Sequence, residues 1–259
     1  MEKSRIEEII REVTDQFGEP IEPIFDPDWF AFESARRVLA ENVCEPQCVA
    51  SLIDHAILKP DATKYDIRKA CEEALEHRFA SVCVNPCWVE VTAELLKDSN
   101  SMVCATVGFP LGANVTDTKV EEAARAAEQG ADELDMVANI GAIKSGNWEV
   151  VHSEIAVIAK TVDTKPLKVI IETSLLTDEE IVRASAIAAN AGAAYTKTST
   201  GFVPGGATTK AVRLMTQTVG EKLGVKASGG IGDFEKALAM LKAGATRIGA
   251  SRSLSIIGA

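Results

Sequence analysis

Two lysines lie inside short, β-branched, apolar stretches of the chain: Lys197 in Tyr195-Thr196-Lys197-Thr198 and Lys226 in Gly224-Val225-Lys226-Ala227. An ordinary lysine has a pKa near 10.4, so at pH 7 only about one in 2,500 is neutral and nucleophilic. Making it reactive takes a shift of about 3 units, roughly 4 kcal/mol. Burial supplies part of that, and a second cation close by supplies more. Lys197 and Lys226 fit this pairing if their two strands are neighbours. A reactive amine and a carbonyl form a Schiff base, which draws electrons from an adjoining C–C bond. Asp135, between Leu134 and Met136, is placed to carry protons, directly or through a water.

Other polar residues share the pattern. Side chains alternate along a strand, so one set faces inward when strands close into a barrel. Asp54, Cys83, Lys168, Glu172 (on the face of Ile170), Ser199 and Ser228 occupy such positions. A buried charge costs several kcal/mol unless paired. Seven ionisable groups spread over six strands therefore mark either a catalytic interior or one satisfied ion network. Gly201 follows the Lys197 stretch, Gly229-Gly230 follows Lys226, and Gly249-Ala250-Ser251 closes the next strand. Loops of this kind expose backbone N–H groups to a phosphate.

The elements that would position these residues are eight strand candidates: Leu52–His55, Ser81–Val84, Met102–Val107, Glu133–Met136, Leu167–Ile171, Tyr195–Thr198, Gly224–Ala227 and Arg247–Gly249. Helical patterns alternate with them. Asp117–Gln129 carries Val120, Ala123, Ala124 and Ala127 on one face, and Asp178–Ala191 carries Ile181, Ala184, Ile187, Ala188 and Ala191. Gln129-Gly130-Ala131, Ala191-Gly192-Ala193 and Ala243-Gly244-Ala245 each close a helix and open a strand. Strict alternation demands parallel strands with right-handed crossovers. The fold class expected is α/β, a (β/α)8 TIM barrel. An open doubly wound sheet ranks second, because no G-x-G-x-x-G follows the first strand. Residues 1–50 read as an N-terminal helical extension and 51–259 as the (β/α)8 barrel catalytic domain. In the extension Ile6, Ile9, Ile10, Val13 and Phe17 share a helical face. A turn at Pro20, Pro23 and Pro27 follows, then a second helix around Ser34–Asn42.

The chain has 259 residues and a net charge of −11, which argues against nucleic-acid and anionic-membrane partners. Residues 201–259 nevertheless hold 8 bases and 3 acids, a local excess suited to a small anion. No apolar run approaches the roughly 20 residues of a membrane span. The start, MEKSRIEEIIREV, lacks the apolar segment of a signal peptide. Six cysteines without a dense framework suggest reduced thiols and a cytoplasmic location. Their C-x3-C spacings, with only three histidines, speak against a zinc site. An amphipathic arm predicts a homo-oligomer, with a dimer preferred.

The segments VCVNP (82–86), DELDMV (132–137), LKVIIET (167–173), YTKTSTGF (195–202), GGAT (205–208), VKASGGI (225–231) and RIGAS (247–251) closely resemble the deoxyribose-phosphate aldolase family. The resemblance spans residues 51–251. It implies a class I aldolase with no metal and no cofactor. Such an enzyme reversibly cleaves 2-deoxy-D-ribose 5-phosphate to acetaldehyde and D-glyceraldehyde 3-phosphate in deoxynucleoside catabolism. By motif match, Lys197 resembles the Schiff-base lysine, Lys226 its activating neighbour and Asp135 the proton relay. Asp54, Cys83, Lys168, Glu172 and Thr200 resemble residues of the substrate pocket and its interior network. Gly201, Gly229, Gly230 and Ser251 resemble phosphate contacts. Two positions depart from the pattern. Ala56 stands where the first motif usually has threonine, and Arg252 stands where a small residue is commoner. These departures leave room for another lysine-dependent phosphosugar aldolase. A silent phosphosugar-binding protein is the remaining alternative, and it would predict a broken lysine pair.

Overall fold

Alternating β-branched and apolar residues form eight strands that close on themselves in sequence order, every neighbouring pair parallel. In this computed structural model, which describes residues 1–21, 40, 42, 43 and 45–259, the strands are β1 Ile53–Ile57, β2 Ser81–Val84, β3 Met102–Val107, β4 Glu133–Val137, β5 Leu167–Ile170, β6 Tyr195–Lys197, β7 Gly224–Ser228 and β8 Arg247–Ala250. Each predicted strand is present, its ends differing by two residues at most. The helices are α1 Lys3–Phe17, α2 Lys64–His77, α3 Val89–Leu96, α4 Thr116–Glu128, α5 Ile140–Lys144, α6 Trp148–Val162, α7 Asp178–Asn190, α8 Thr209–Val219, α9 Phe234–Lys242 and α10 Ser253–Ile257. The expected (β/α)8 barrel is therefore the observed one.

Local signals explain several element ends. Thr63 with Asp66 and Thr177 with Glu180 form reciprocal capping boxes that start α2 and α7. The three glycines that end helices, Gly130, Gly192 and Gly244, have φ of 102°, 89° and 109°, a conformation a side chain disfavours.

The apolar core does not fill the barrel lumen. Val82, Val103, Leu134, Val169, Val225 and Ile248 point outward from the strands and are buried against the helices. The alternate, inward positions carry Asp54, Cys83, Cys104, Glu133, Asp135, Lys168, Lys197, Lys226 and Arg247, all buried.

The N-terminal helix behaves as its pattern predicts. Ile6, Ile9 and Val13 are buried against α7 and α8. Arg5 Nε meets Glu179 Oε1 at 3.0 Å, and Arg183 pairs with Glu12. The Phe17 ring stacks on His152 at 4.3 Å. The predicted turn at Pro23 and Pro27 and nearly all of the predicted helix around Ser34–Asn42 lie outside the described residues. One predicted face is shifted. In α4 the buried residues are Lys119, Ala123 and Ala126, while Val120, Ala124 and Ala127 are only half-buried. The cause is Lys119, whose buried ammonium donates to Val137 O and Glu154 Oε2, both at 2.9 Å. That pairing turns a lysine inward and rotates the seam with it.

Candidate active site

β4, β6 and β7 bring the two lysines and the aspartate to one point. β6 and β7 are adjacent and place Lys197 directly beside Lys226. Lys197 Nζ donates to Asp135 Oδ2 at 2.6 Å, and Lys226 Nζ donates to the same oxygen at 2.5 Å. Lys226 also lies 2.5 Å from Asp54 Oδ2. On the far side of the carboxylate, Lys168 Nζ is 3.1 Å from Asp135 Oδ1, and Cys104 Sγ donates to that oxygen at 3.2 Å. Asp135 thus receives three ammonium groups while wholly buried.

The network continues below. Lys168 Nζ donates to Glu133 Oε2 at 2.7 Å. Arg247 Nη2 donates to Glu133 Oε1 at 2.7 Å, and Arg247 Nη1 pairs with Asp54. Ser81 Oγ donates to Asp54 Oδ1 at 2.7 Å. Tyr195 lies under Lys168 and Arg247, its ring centroid 5.9 and 5.7 Å from their cationic centres. Four basic side chains therefore face three carboxylates in the buried lumen, an excess of one basic group.

Electrostatics assign which groups stay charged. Burial alone would neutralise Lys226, but Asp135 and Asp54 outweigh it and hold its ammonium well above the usual lysine range. Burial likewise opposes the Lys168 charge, and Asp135 and Glu133 among its neighbours reverse that. Asp135 is desolvated, yet Lys168, Lys197 and Lys226 hold its carboxyl well below its ordinary range. The neighbouring Cys104 lowers the Cys83 thiol, and burial raises that of Cys104.

Above this floor opens a cavity of about 710 Å³ at the C-terminal ends of the strands, the face where barrel enzymes hold their substrates. Lys197, Lys226 and Cys83 reach its floor, and Thr200, Gly201, Gly229, Gly230 and Ser251 line its wall. Ala56, the departure in the first motif, lines it as well. The loops after β6 and β7 touch. Ala207 N donates to Gly229 O at 3.0 Å, and a Cβ on Gly206 would overlap that carbonyl. Asp54, Asp135, Lys168 and Glu172 stand behind the lining. Glu172 Oε2 accepts from Thr200 N at 3.1 Å and Thr200 Oγ1 at 2.6 Å. Its φ of 51° is a left-handed conformation rare for glutamate, so this carboxylate is held to fix the Thr200 loop.

Sequence reasoning missed Glu133, Arg247, Cys104 and Ser81. The signal was available, because each lies two residues from, or directly beside, an inward position already identified. Two sets of candidate metal donors fall in the lumen, Cys83–Cys104–Asp135 and Asp54–Cys104–Glu133. Their carboxylates already accept from lysine and arginine, so side-chain cations fill the role a metal would take. The cysteines of the second C-x3-C spacing diverge, with Cys83 buried and Cys87 exposed; Cys44 of the first lies outside the described residues. Among the described residues no helix is long and apolar enough to cross a membrane.

Residues 48–258 match the family model described as DeoC/LacD family aldolase. A deoxyribose-phosphate aldolase of Caldanaerobacter subterraneus is 54% identical over 212 residues, covering 81% of this chain and 92% of its own length. That of a Geobacillus species is 55% identical over 210 residues, covering 81% and 94%. Among solved structures, a tetrameric deoxyribose phosphate aldolase from Aeropyrum pernix aligns with a TM-score of 0.78 at 31% identity, over 86% of this chain and 95% of its own.

Proposed function

The chain belongs to the DeoC/LacD aldolase family, and from that premise we propose that it reversibly cleaves 2-deoxy-D-ribose 5-phosphate to acetaldehyde and D-glyceraldehyde 3-phosphate through a Schiff base on Lys197. The observation that carries this reading is the convergence of Lys197 and Lys226 on one oxygen of Asp135 at the cavity floor. The neutral amine of Lys197 attacks the C1 aldehyde of the open-chain sugar. Water leaves, and the resulting iminium withdraws electrons from the C2–C3 bond. Asp135, through a water, takes the proton of the C3 hydroxyl as that bond breaks. Glyceraldehyde 3-phosphate departs with a new C3 carbonyl, leaving an enamine on Lys197. Protonation of the enamine carbon and addition of water release acetaldehyde and restore the amine. Lys226 remains a cation throughout. Its charge stands beside the Lys197 amine, the arrangement of a second cation next to a nucleophilic lysine.

The remaining assignments rest on the motif match, with support from the residues' places around the cavity. Gly201, Gly229, Gly230 and Ser251 take the phosphate with backbone and hydroxyl groups. Cys83 and Thr200 shape the pocket. Asp54, Lys168 and Glu172 hold the first set in place. Residues 1–50 serve as a packing extension to a catalytic domain at 51–259. We extend the reading to a homo-oligomer in the cytoplasm; the Aeropyrum pernix structure, a tetramer, supports assembly, and light scattering measures the copy number. The deciding experiment is borohydride reduction in the presence of acetaldehyde, followed by peptide mapping. The expected adduct is on the Lys197 peptide. An adduct only on another lysine, or none, refutes the mechanism.

A further inference from the structure

We propose that Arg252, seated on Gly232, is the residue that selects a phosphorylated sugar over a neutral one; the proposal rests on the aldolase reading above and names the specificity element of the same cavity. Arg252 follows Ser251 at the end of β8, is exposed, and lines the cavity beside Gly229 and Gly230. It therefore stands at the wall that offers backbone N–H groups, away from the buried ion network. Among the described residues no carboxylate lies within ion-pair distance of it. Asp233 feels its charge, but Asp233 Oδ1 is committed to the cap of α9, accepting from Lys236 N at 2.9 Å. Arg252 brings an unspent, permanent positive charge to the anion wall.

Its position is built by a second loop. A Cβ placed on Gly232 would stand no more than 2.6 Å from Arg252 Nη2, Cζ and Nε. The guanidinium thus lies with its face on the Gly232 backbone, where any side chain would displace it. Gly232 is not among the glycines with positive φ. Its backbone conformation is open to any residue, so the space left for Arg252 is what the glycine provides. A guanidinium lying on this backbone presents N–H donors at its edge, and their fork matches two oxygens of a phosphate monoester. Backbone N–H groups and the Ser251 hydroxyl also accept a neutral hydroxyl or water as partner. The guanidinium adds a term that scales with the ligand's charge, and that term separates sugar phosphate from sugar.

The test is steady-state cleavage of 2-deoxyribose 5-phosphate and of 2-deoxyribose by the wild-type protein, Arg252→Ala, Arg252→Lys and Gly232→Ala. Arg252→Ala is expected to lower the phosphorylated-to-neutral ratio of kcat/KM at least about ten-fold, mainly through KM for the phosphorylated sugar. Gly232→Ala should shift the ratio the same way, because the new methyl unseats the guanidinium. Arg252→Lys should fall between, keeping the charge without the fork. An unchanged ratio in Arg252→Ala overturns the proposal, as does equal loss on both sugars. If the wild-type protein cleaves neither sugar, the aldolase reading fails. Calorimetric titration of inorganic phosphate into wild-type and Arg252→Ala protein then judges the anion seat alone. Weaker binding in the variant supports it, and an unchanged Kd overturns it.

Discussion

Replacing Lys226 by methionine removes one cation from the lumen and leaves a similar volume of apolar side chain. Three basic side chains then face three carboxylates, and the excess of one basic group is gone. The two ammonium nitrogens lie within about 5 Å of each other, since they reach the same oxygen of Asp135 at 2.6 and 2.5 Å. At an effective dielectric of about 20, two unit charges at that separation repel by about 3 kcal/mol. Losing this repulsion is worth a factor of about 100 in Schiff-base formation at a given pH, since about 1.4 kcal/mol is ten-fold. The assay is borohydride trapping with acetaldehyde from pH 6 to 10, scored by mass on the Lys197 peptide, alongside kcat against pH. Lys226→Arg keeps the cation and should restore most of the lost Schiff-base formation, which separates a charge effect from a packing defect. A Lys226→Met protein that folds and shows the wild-type pH profile refutes the role given to this neighbour.

Three other substitutions probe the same architecture. Asp135→Asn retains the shape of the side chain and removes the proton carrier, so kcat should fall at least about 100-fold; a near-normal kcat rules out the relay. Arg247→Met strips a partner from Asp54 and Glu133 while both stay buried, a loss of about 3–5 kcal/mol in urea unfolding, and a loss under about 1 kcal/mol would show that the lumen tolerates unbalanced acids. His55 is buried, with Nδ1 2.8 Å from Ser253 Oγ and Nε2 2.9 Å from Glu73 Oε2. Burial holds its imidazole below the ordinary value of 6.5 in spite of Glu73. The unfolded chain therefore binds the proton first, so stability is complete above about pH 6.5 and declines as the pH falls below it. His55→Asn should flatten denaturation midpoints between about pH 5 and 6.5, and an undiminished slope in the variant contradicts this.

The barrel was legible because strands buried on both sides carry dense β-branched runs, and the helices between them start and stop at recognisable caps. Lys197, Lys226 and Asp135 were legible for the opposite reason, being charges where such a strand should have none. Glu133 and Arg247 escaped notice because they open their strands, where an ionised residue passes for the end of a loop. Only the parity of the strand, Glu133 with Asp135 and Arg247 with Gly249, shows that they face inward. Lys119 escaped for a related reason. Helical periodicity assumes that a lysine faces solvent, and its buried bond to Glu154 is a partnership between two distant segments that no local pattern contains. The seat of Arg252 is of this kind too, since Gly232 and Arg252 belong to different loops and meet only after the barrel closes.

The outward apolar layer and the inward ionic one are separate fabrics woven on the same strands. The first holds the barrel against its ring of helices by burying apolar surface. The second stores charge and answers to protons and to the substrate. A mutation that rewrites the lumen opens no void in the apolar layer, provided that it preserves the count of charges. The protein therefore has room to change its chemistry one balanced exchange at a time, while the scaffold that carries it stays as it is.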